Sequence, residues 1–192
     1  MNKRAEQKEK RRKEILAVGL DLFIRKGFAA TKISDIAEMA GMSAGLLFHY
    51  FESKEELFEE LINIGIEASR SILPNAGSEP LTFFEDTAKR ILDHAADDPF
   101  IAKMFVLINH AEQTDAANEL VLKHLRQDEE TYTRFSALMA EGQKKGTIRE
   151  GNPTALTIAY WAAIQGVCEI LALHPDTPCP KSEWIVDIIR RK

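Results

Sequence analysis

The sequence predicts an all-α protein: an N-terminal three-helix head built around a helix-turn-helix, then a larger helical body, about nine helices in all. Three observations predict it. Apolar residues recur at i, i+3, i+4 and i+7 through almost every segment. Capping signals open several of those segments, at Ser43, at Ser53-Lys54-Glu55-Glu56 and at Asn152-Pro153. No run alternates apolar and polar residues as a half-buried strand would, and no internal repeat is present.

Each element follows from its own signals. Ile15, Leu16, Gly19, Leu22 and Phe23 set a first helix from about Arg4 to Lys26, ended by Gly27. Ile33, Ile36, Ala37 and Ala40 form one stripe on a short second helix that stops at Gly41. Ser43 caps a third, expected to reach Tyr50. The capping box at Ser53 starts a fourth that carries Leu57, Phe58, Leu61 and Ile62 to about Leu73. After the loop from Pro74 to Glu79, a fifth helix spans Pro80 to Ala96, and Asp98-Pro99 opens a sixth to about Ala111. Thr114 or Asp115 caps a long seventh that ends before the glycines at 142–151. The eighth is apolar almost all round from Ala155 to Leu173. A proline-rich loop then leads to a last helix over Ser182 to Arg191. The expected division is 1–53 for the head and 54–192 for the body.

Composition bounds the function. The chain has 192 residues, 45% hydrophobic and 29% charged, which is globular rather than disordered. It lacks a run of 18 apolar residues and a secretory leader, so no membrane is expected as a partner. Two cysteines, Cys168 and Cys179, are too few for a disulfide framework and fit a reducing, cytoplasmic setting. The net charge of −5 conceals an asymmetry, since residues 1–54 hold 11 Lys/Arg against 7 Asp/Glu, a net of +4. A basic head and an acidic body point to a phosphate-bearing partner at the head.

The stretch from Thr31 to Lys54 is the element that carries function. A short helix, a glycine turn and a capped second short helix make a helix-turn-helix. The second of these begins Ser43-Ala44-Gly45, side chains small enough for a helix end to enter a major groove. Thr31, Ile36-Ala37, Ala40-Gly41, Ser43, Gly45, Leu47-Phe48, Tyr50-Phe51, Ser53-Lys54 and Leu57 together resemble the DNA-binding domain of the tetracycline-repressor (TetR) family of bacterial regulators. Ile15, Gly19, Leu22-Phe23 and Gly27-Phe28 look like that family's first helix and turn.

The resemblance implies roles. Thr31 and Lys32 lie where the family touches the DNA backbone. Ser43, Ala44, Gly45 and Leu46 face bases and phosphates at the start of the recognition helix. His49 and Tyr50 lie at its far end, and Lys54 meets phosphate at the start of the fourth helix. Phe48 stands where the family usually has tyrosine and Leu46 where threonine is common, so a phenolic phosphate contact is lost and a polar contact becomes apolar. From spacing alone, Phe48 and Phe51 are expected in the core, and His49 is either a surface histidine or a phosphate donor.

No other chemistry announces itself. The five histidines show no metal-ligand spacing, and no phosphate-binding loop, GxGxxG or GxSxG occurs. No metal, cofactor or enzymatic activity is expected. Cys168 is expected to be buried and Cys179 exposed. In the body, Phe105, Asn109, Gln113, Tyr132, Phe135, Trp161 and Gln165 could line an apolar ligand cavity with a few polar anchors. The eighth helix, with Trp184, Ile185 and Ile188 of the last, suggests a two-fold four-helix dimer interface. The reading is a homodimeric repressor bound to a palindromic operator and released by a small, largely apolar inducer. Two alternatives stay open: a helix-turn-helix regulator controlled by a protein partner, and an all-α enzyme or carrier that retains the motif.

Overall fold

Helical periodicity carries through the computed structural model, which describes residues 3–75, 77–112 and 119–192, the side chains of 109–130 excepted. Among these residues the order is α1 (Lys3–Lys26), α2 (Ile33–Met39), α3 (Ala44–Leu47), α4 (Lys54–Ser71), α5 (Pro80–Asp97), α6 (Pro99–Glu112), α7 (Glu119–Lys144), α8 (Pro153–Leu173) and α9 (Ser182–Val186). The capping signals act as their chemistry requires. Ser43 Oγ accepts from the Leu46 N–H at 3.2 Å, Ser53 Oγ from Glu56 at 3.0 Å, and Asn152 Oδ1 from Ala155 at 3.0 Å. Gly27 and Gly41, which end α1 and α2, adopt φ of +79° and +64°, a region that resists a side chain. The expected cap of α7 at Thr114 or Asp115 lies outside the described residues.

Two helices end earlier than the sequence suggests. α3 stops at Leu47, because His49 and Tyr50 N–H groups turn back to the carbonyls of Leu46 and Leu47 in i→i+3 bonds. α9 stops at Val186, where Ile188 and Ile189 likewise bond three residues back. The chain then runs past residues 147–149 as an antiparallel bridge, with the Arg149 N–H on the Ile189 carbonyl at 2.9 Å. Ile185 and Val186 at the end of α9 and Ile189 in the turn after it are all buried.

Hydrophobic packing divides into two cores. The head core gathers Ile15, Leu20, Phe23, Ile36, Leu47, Phe51 and, from α4, Leu57 to Ile66. The body core gathers Phe84, Leu92, Phe135, Met139, Tyr160, Ile164 and Cys168, among others. Helix α6 belongs to both. It gives Met104 and Leu107 to the head core, and Ala102 and Val106 to the body core. Buried packing thus carries the head beyond residue 53, through most of α4 and onto one face of α6.

Helix α8 is long and apolar enough to cross a membrane by length and composition alone, with a mean hydropathy of 1.6. It packs against α5, α6, α7 and α9. Its inner face buries Tyr160, Ile164, Cys168 and Leu171, and the Tyr160 hydroxyl donates to the Phe84 carbonyl at 2.7 Å. Its outer face exposes Ile158, Ala162, Ile170 and Leu173.

Candidate nucleic-acid interface

The head is held rigid by basic residues that fold inward. From α1, Arg11 donates Nη2 to the carbonyl of Ala40, at the C-terminus of α2, at 2.8 Å. Arg12 donates to the carbonyl of Tyr50, just past α3, and grips Glu60 of α4 through two nitrogens. Its guanidinium also lies 4.2 Å from the centre of the Phe51 ring. One turn of α1 therefore ties α2, α3 and α4 together. These two arginines belong to the basic run that the sequence offers to phosphate; the structure assigns them to bracing. Their position three and four residues before buried Ile15 and Leu16 is the signal that places them on the inner face.

Lys54 also turns inward. Its ammonium donates to the carbonyls of Phe28 and Thr31 at 2.9 Å each, approaches Ala29 at 3.4 Å, and sits 4.4 Å from the centre of the Phe28 ring. Thr31 is 1% exposed, and its hydroxyl donates to the Gly27 carbonyl at 2.8 Å. Its side chain closes the turn after α1 rather than meeting the DNA surface. Lys26 pairs with Asp35 at 3.1 Å across the same turn, and that hydrogen bond holds the Asp35 carboxyl below its usual range.

The outward surface is consequently small and specific. Lys32 is exposed ahead of α2, and Ser43, Gly45, Leu46 and His49 are exposed along and beyond α3. Ala44 and Tyr50 are half-buried. A Cβ added at Gly45 would meet nothing nearer than Ser43 Oγ at 4.0 Å, so folding does not require glycine there. Phe51 is buried as expected, but Phe48 is 49% exposed. Phe48 departs from the expected core position because Leu47 and Phe51, four residues apart, take the inner face and leave Phe48 beyond its edge.

The body residues separate. Phe135 and Trp161 are buried with ring centres 4.8 Å apart, and Phe83 stands 6.0 Å from Phe135. Phe105 and Gln165 are half-buried, and Tyr132 is exposed. The Asn109 side chain and Gln113 lie outside the described residues. The Trp161 indole nitrogen is buried and finds no acceptor among the described residues. A cavity of about 330 Å³ lies instead at the seam of head and body, lined by Asp21, Ile24, Arg25, Lys103, Leu173 and Pro175 among others. None of the expected ligand residues lines it. Its floor holds the Asp21–Lys103 ion pair, which joins α1 to α6. Of the expected interface residues, Trp184 is 62% exposed and Ile188 half-buried, whereas Ile185 is only 8% exposed because it packs into its own body core.

Residues 15–61, the braced head itself, match the family model of bacterial regulatory proteins, tetR family. The head is similar to that family's DNA-binding domain. Over 168 residues the chain is 28% identical to the HTH-type transcriptional regulator RutR of Escherichia coli K12, a match spanning 85% of this chain and 76% of RutR. The HTH-type transcriptional repressor KstR2 of Mycobacterium tuberculosis is 42% identical over 62 residues, covering 32% of this chain and 31% of KstR2. The fold extends further. The solved structure of that ketosteroid transcriptional regulator superposes with a TM-score of 0.72 over 95% of this chain and 96% of KstR2, at 18% identity. AibR, in complex with isovaleryl coenzyme A and operator DNA, gives a TM-score of 0.66 over 92% of this chain and 94% of AibR, at 17% identity. The head is thus similar to a DNA-binding domain, and the whole chain shares its fold with solved transcriptional regulators.

Proposed function

We propose that the regulator is a homodimeric repressor that binds a palindromic operator and leaves it when a small, largely apolar molecule occupies the body. The observation that carries this reading is the double membership of α6. A ligand that moves Ala102 or Val106 on the body side of α6 also moves Met104 and Leu107, which are part of the head core. α4 adds a second connection. A Cβ at Gly65 would stand 2.7 Å from Ile108 Cδ1, so α4 and α6 touch almost backbone to side chain. Close-packed interiors shift between discrete arrangements rather than flexing, so such a movement reaches the recognition surface.

Dimerisation is supported by the exposed apolar face of α8 together with Trp184, a patch that water disfavours. A second copy related by a two-fold axis covers it and sets two α3 helices at one fixed spacing. Light scattering at micromolar concentration should give twice the 21.6 kDa chain mass, and Trp184→Ala combined with Ile158→Glu should give the single mass. The ligand half of the proposal is tested by co-titration. Compounds raising the melting temperature are titrated against free and operator-bound protein, and linkage demands weaker binding to the complex. Equal affinity for both forms rejects a compound as inducer. If no compound in a broad apolar library stabilises the protein, control by a protein partner becomes the better account.

A further inference from the structure

The surface that α3 turns outward carries almost no hydrogen-bonding side chain. Residues 43–48 contain no Arg, Lys, Asn, Gln, Asp or Glu, the types that read base edges through paired hydrogen bonds. Ser43 accepts the Leu46 N–H as a helix cap. What α3 and the turn after it present is apolar: Leu46 is 45% exposed and Phe48 49% exposed, and neither joins the head core. Phe48 has no hydroxyl to offer a phosphate. Lys32 ahead of α2 and His49 one residue beyond Phe48 are exposed as polar donors, alongside the exposed acids Glu38 and Glu52. Such a surface suits a partner that displays isolated apolar groups. In the major groove of duplex DNA the apolar group is the 5-methyl of thymine.

We infer that Leu46 and Phe48 select the operator by packing against thymine methyl groups, so each half-site holds a thymine opposite each of these side chains. This inference rests on α3 being the base-reading helix, and it names what that helix reads. Polar contacts from Lys32 and His49 supply sequence-independent affinity, while the apolar pair supplies sequence discrimination.

The test begins with duplexes that the full-length protein enriches from a random-sequence pool. Each recurrent thymine in the enriched half-site is then replaced by deoxyuridine, which preserves the base pair and removes only the methyl. Affinity should fall about fourfold for each buried methyl removed, and about fifteenfold when the change is made in both half-sites. Leu46→Ala and Phe48→Ala should each abolish the sensitivity at one thymine position and leave it at the other, with the salt dependence of binding unchanged. Both side chains are substantially exposed, so circular dichroism and thermal unfolding should be unaltered. Undiminished binding to every deoxyuridine duplex overturns the inference while leaving DNA reading intact. Enriched half-sites without recurrent thymines, or sensitivity that survives both variants, overturn it as well. Absence of any salt-dependent duplex binding overturns the parent reading and the inference with it.

Discussion

Replacing Lys54 with methionine separates two roles for one cation. The substitution keeps most of the aliphatic stem and removes the ammonium. The structure shows that ammonium giving 2.9 Å bonds to the Phe28 and Thr31 carbonyls and lying 4.4 Å from the Phe28 ring. Hydrogen bonds to a charged group contribute about 1.5–3 kcal/mol each when buried, and Lys54 is half-exposed, so the low end applies. The ring contact adds about 0.5 kcal/mol. After the side-chain entropy released by the variant is subtracted, a loss of about 2–3 kcal/mol remains. A chain of this size loses about 2–4 °C of melting temperature per kcal/mol, so the midpoint should fall by about 5–10 °C. Each phosphate contact contributes about 0.9 to the slope of log affinity against log salt. Because the Lys54 donors are already engaged within the head, the slope should change by less than about half of that. Thermal unfolding at fixed protein concentration and fluorescence anisotropy of a labelled operator across salt measure both quantities. An unchanged midpoint together with a slope reduced by about one unit per head would refute the bracing role and restore Lys54 to phosphate.

Other outcomes follow from the same geometry. Gly45→Arg should leave the circular dichroism spectrum and melting temperature unchanged, since open space surrounds the position, yet abolish discrimination between operator and random duplex in competition anisotropy. Asp21→Asn and Lys103→Met each break the partly buried pair between α1 and α6, and each should change operator affinity by about two- to thirtyfold. The double variant should do no more than either single one, and additive effects would show that the pair does not act as a unit. Burial pushes the Cys168 thiol from 9.0 up to about 12. A raised thiol favours the folded state only while the unfolded thiol is also protonated, so stability should decline as pH rises past 9 towards 12. Urea midpoints measured across that range should fall less steeply in Cys168→Ala, and an identical decline would assign the effect to other groups.

The helices are legible from local signals, because caps, left-handed glycines and 3.6-residue periodicity are each decided within a few residues. Ser43, Gly41 and the Ser53 box therefore stand where their chemistry requires. What the sequence does not carry is which face of an amphipathic pattern meets which neighbour. Ile185 and Trp184 are adjacent and both apolar, yet one enters the body core and the other faces out. The division is set by the bridge between residues 148 and 190, a pairing 42 positions apart that no window along the chain contains. Phe48 escapes the sequence pattern for a related reason, since helical phase does not extend past the end of α3 at Leu47. α6 shows the same limit more strongly. Its sequence is apolar on several sides, and only tertiary packing reveals that one side completes the head and another the body.

Many of the head's cations are engaged inside the head. Counted from sequence, the first 54 residues offer 11 cations to DNA. Arg11, Arg12 and Lys54 are committed to carbonyls within the head, and Arg25 and Lys26 pair with Asp21 and Asp35. Among the described residues, Lys3, Lys8, Lys10, Lys13 and Lys32 are exposed and make no ion pair. A recognition helix of four residues has little stability of its own, because one turn cannot recover the entropy of its nucleation. Its position must be imposed from outside, and the inward cations impose it by satisfying the carbonyls at the ends of α2 and α3. Spending these charges on rigidity lowers the electrostatic attraction that every DNA sequence shares. On the proposed docking, contacts of α3 with base edges then carry a larger share of the binding free energy. On the inferred reading, a head built this way should discriminate between sequences through apolar fit, and its raw charge count overstates the cations left free for DNA.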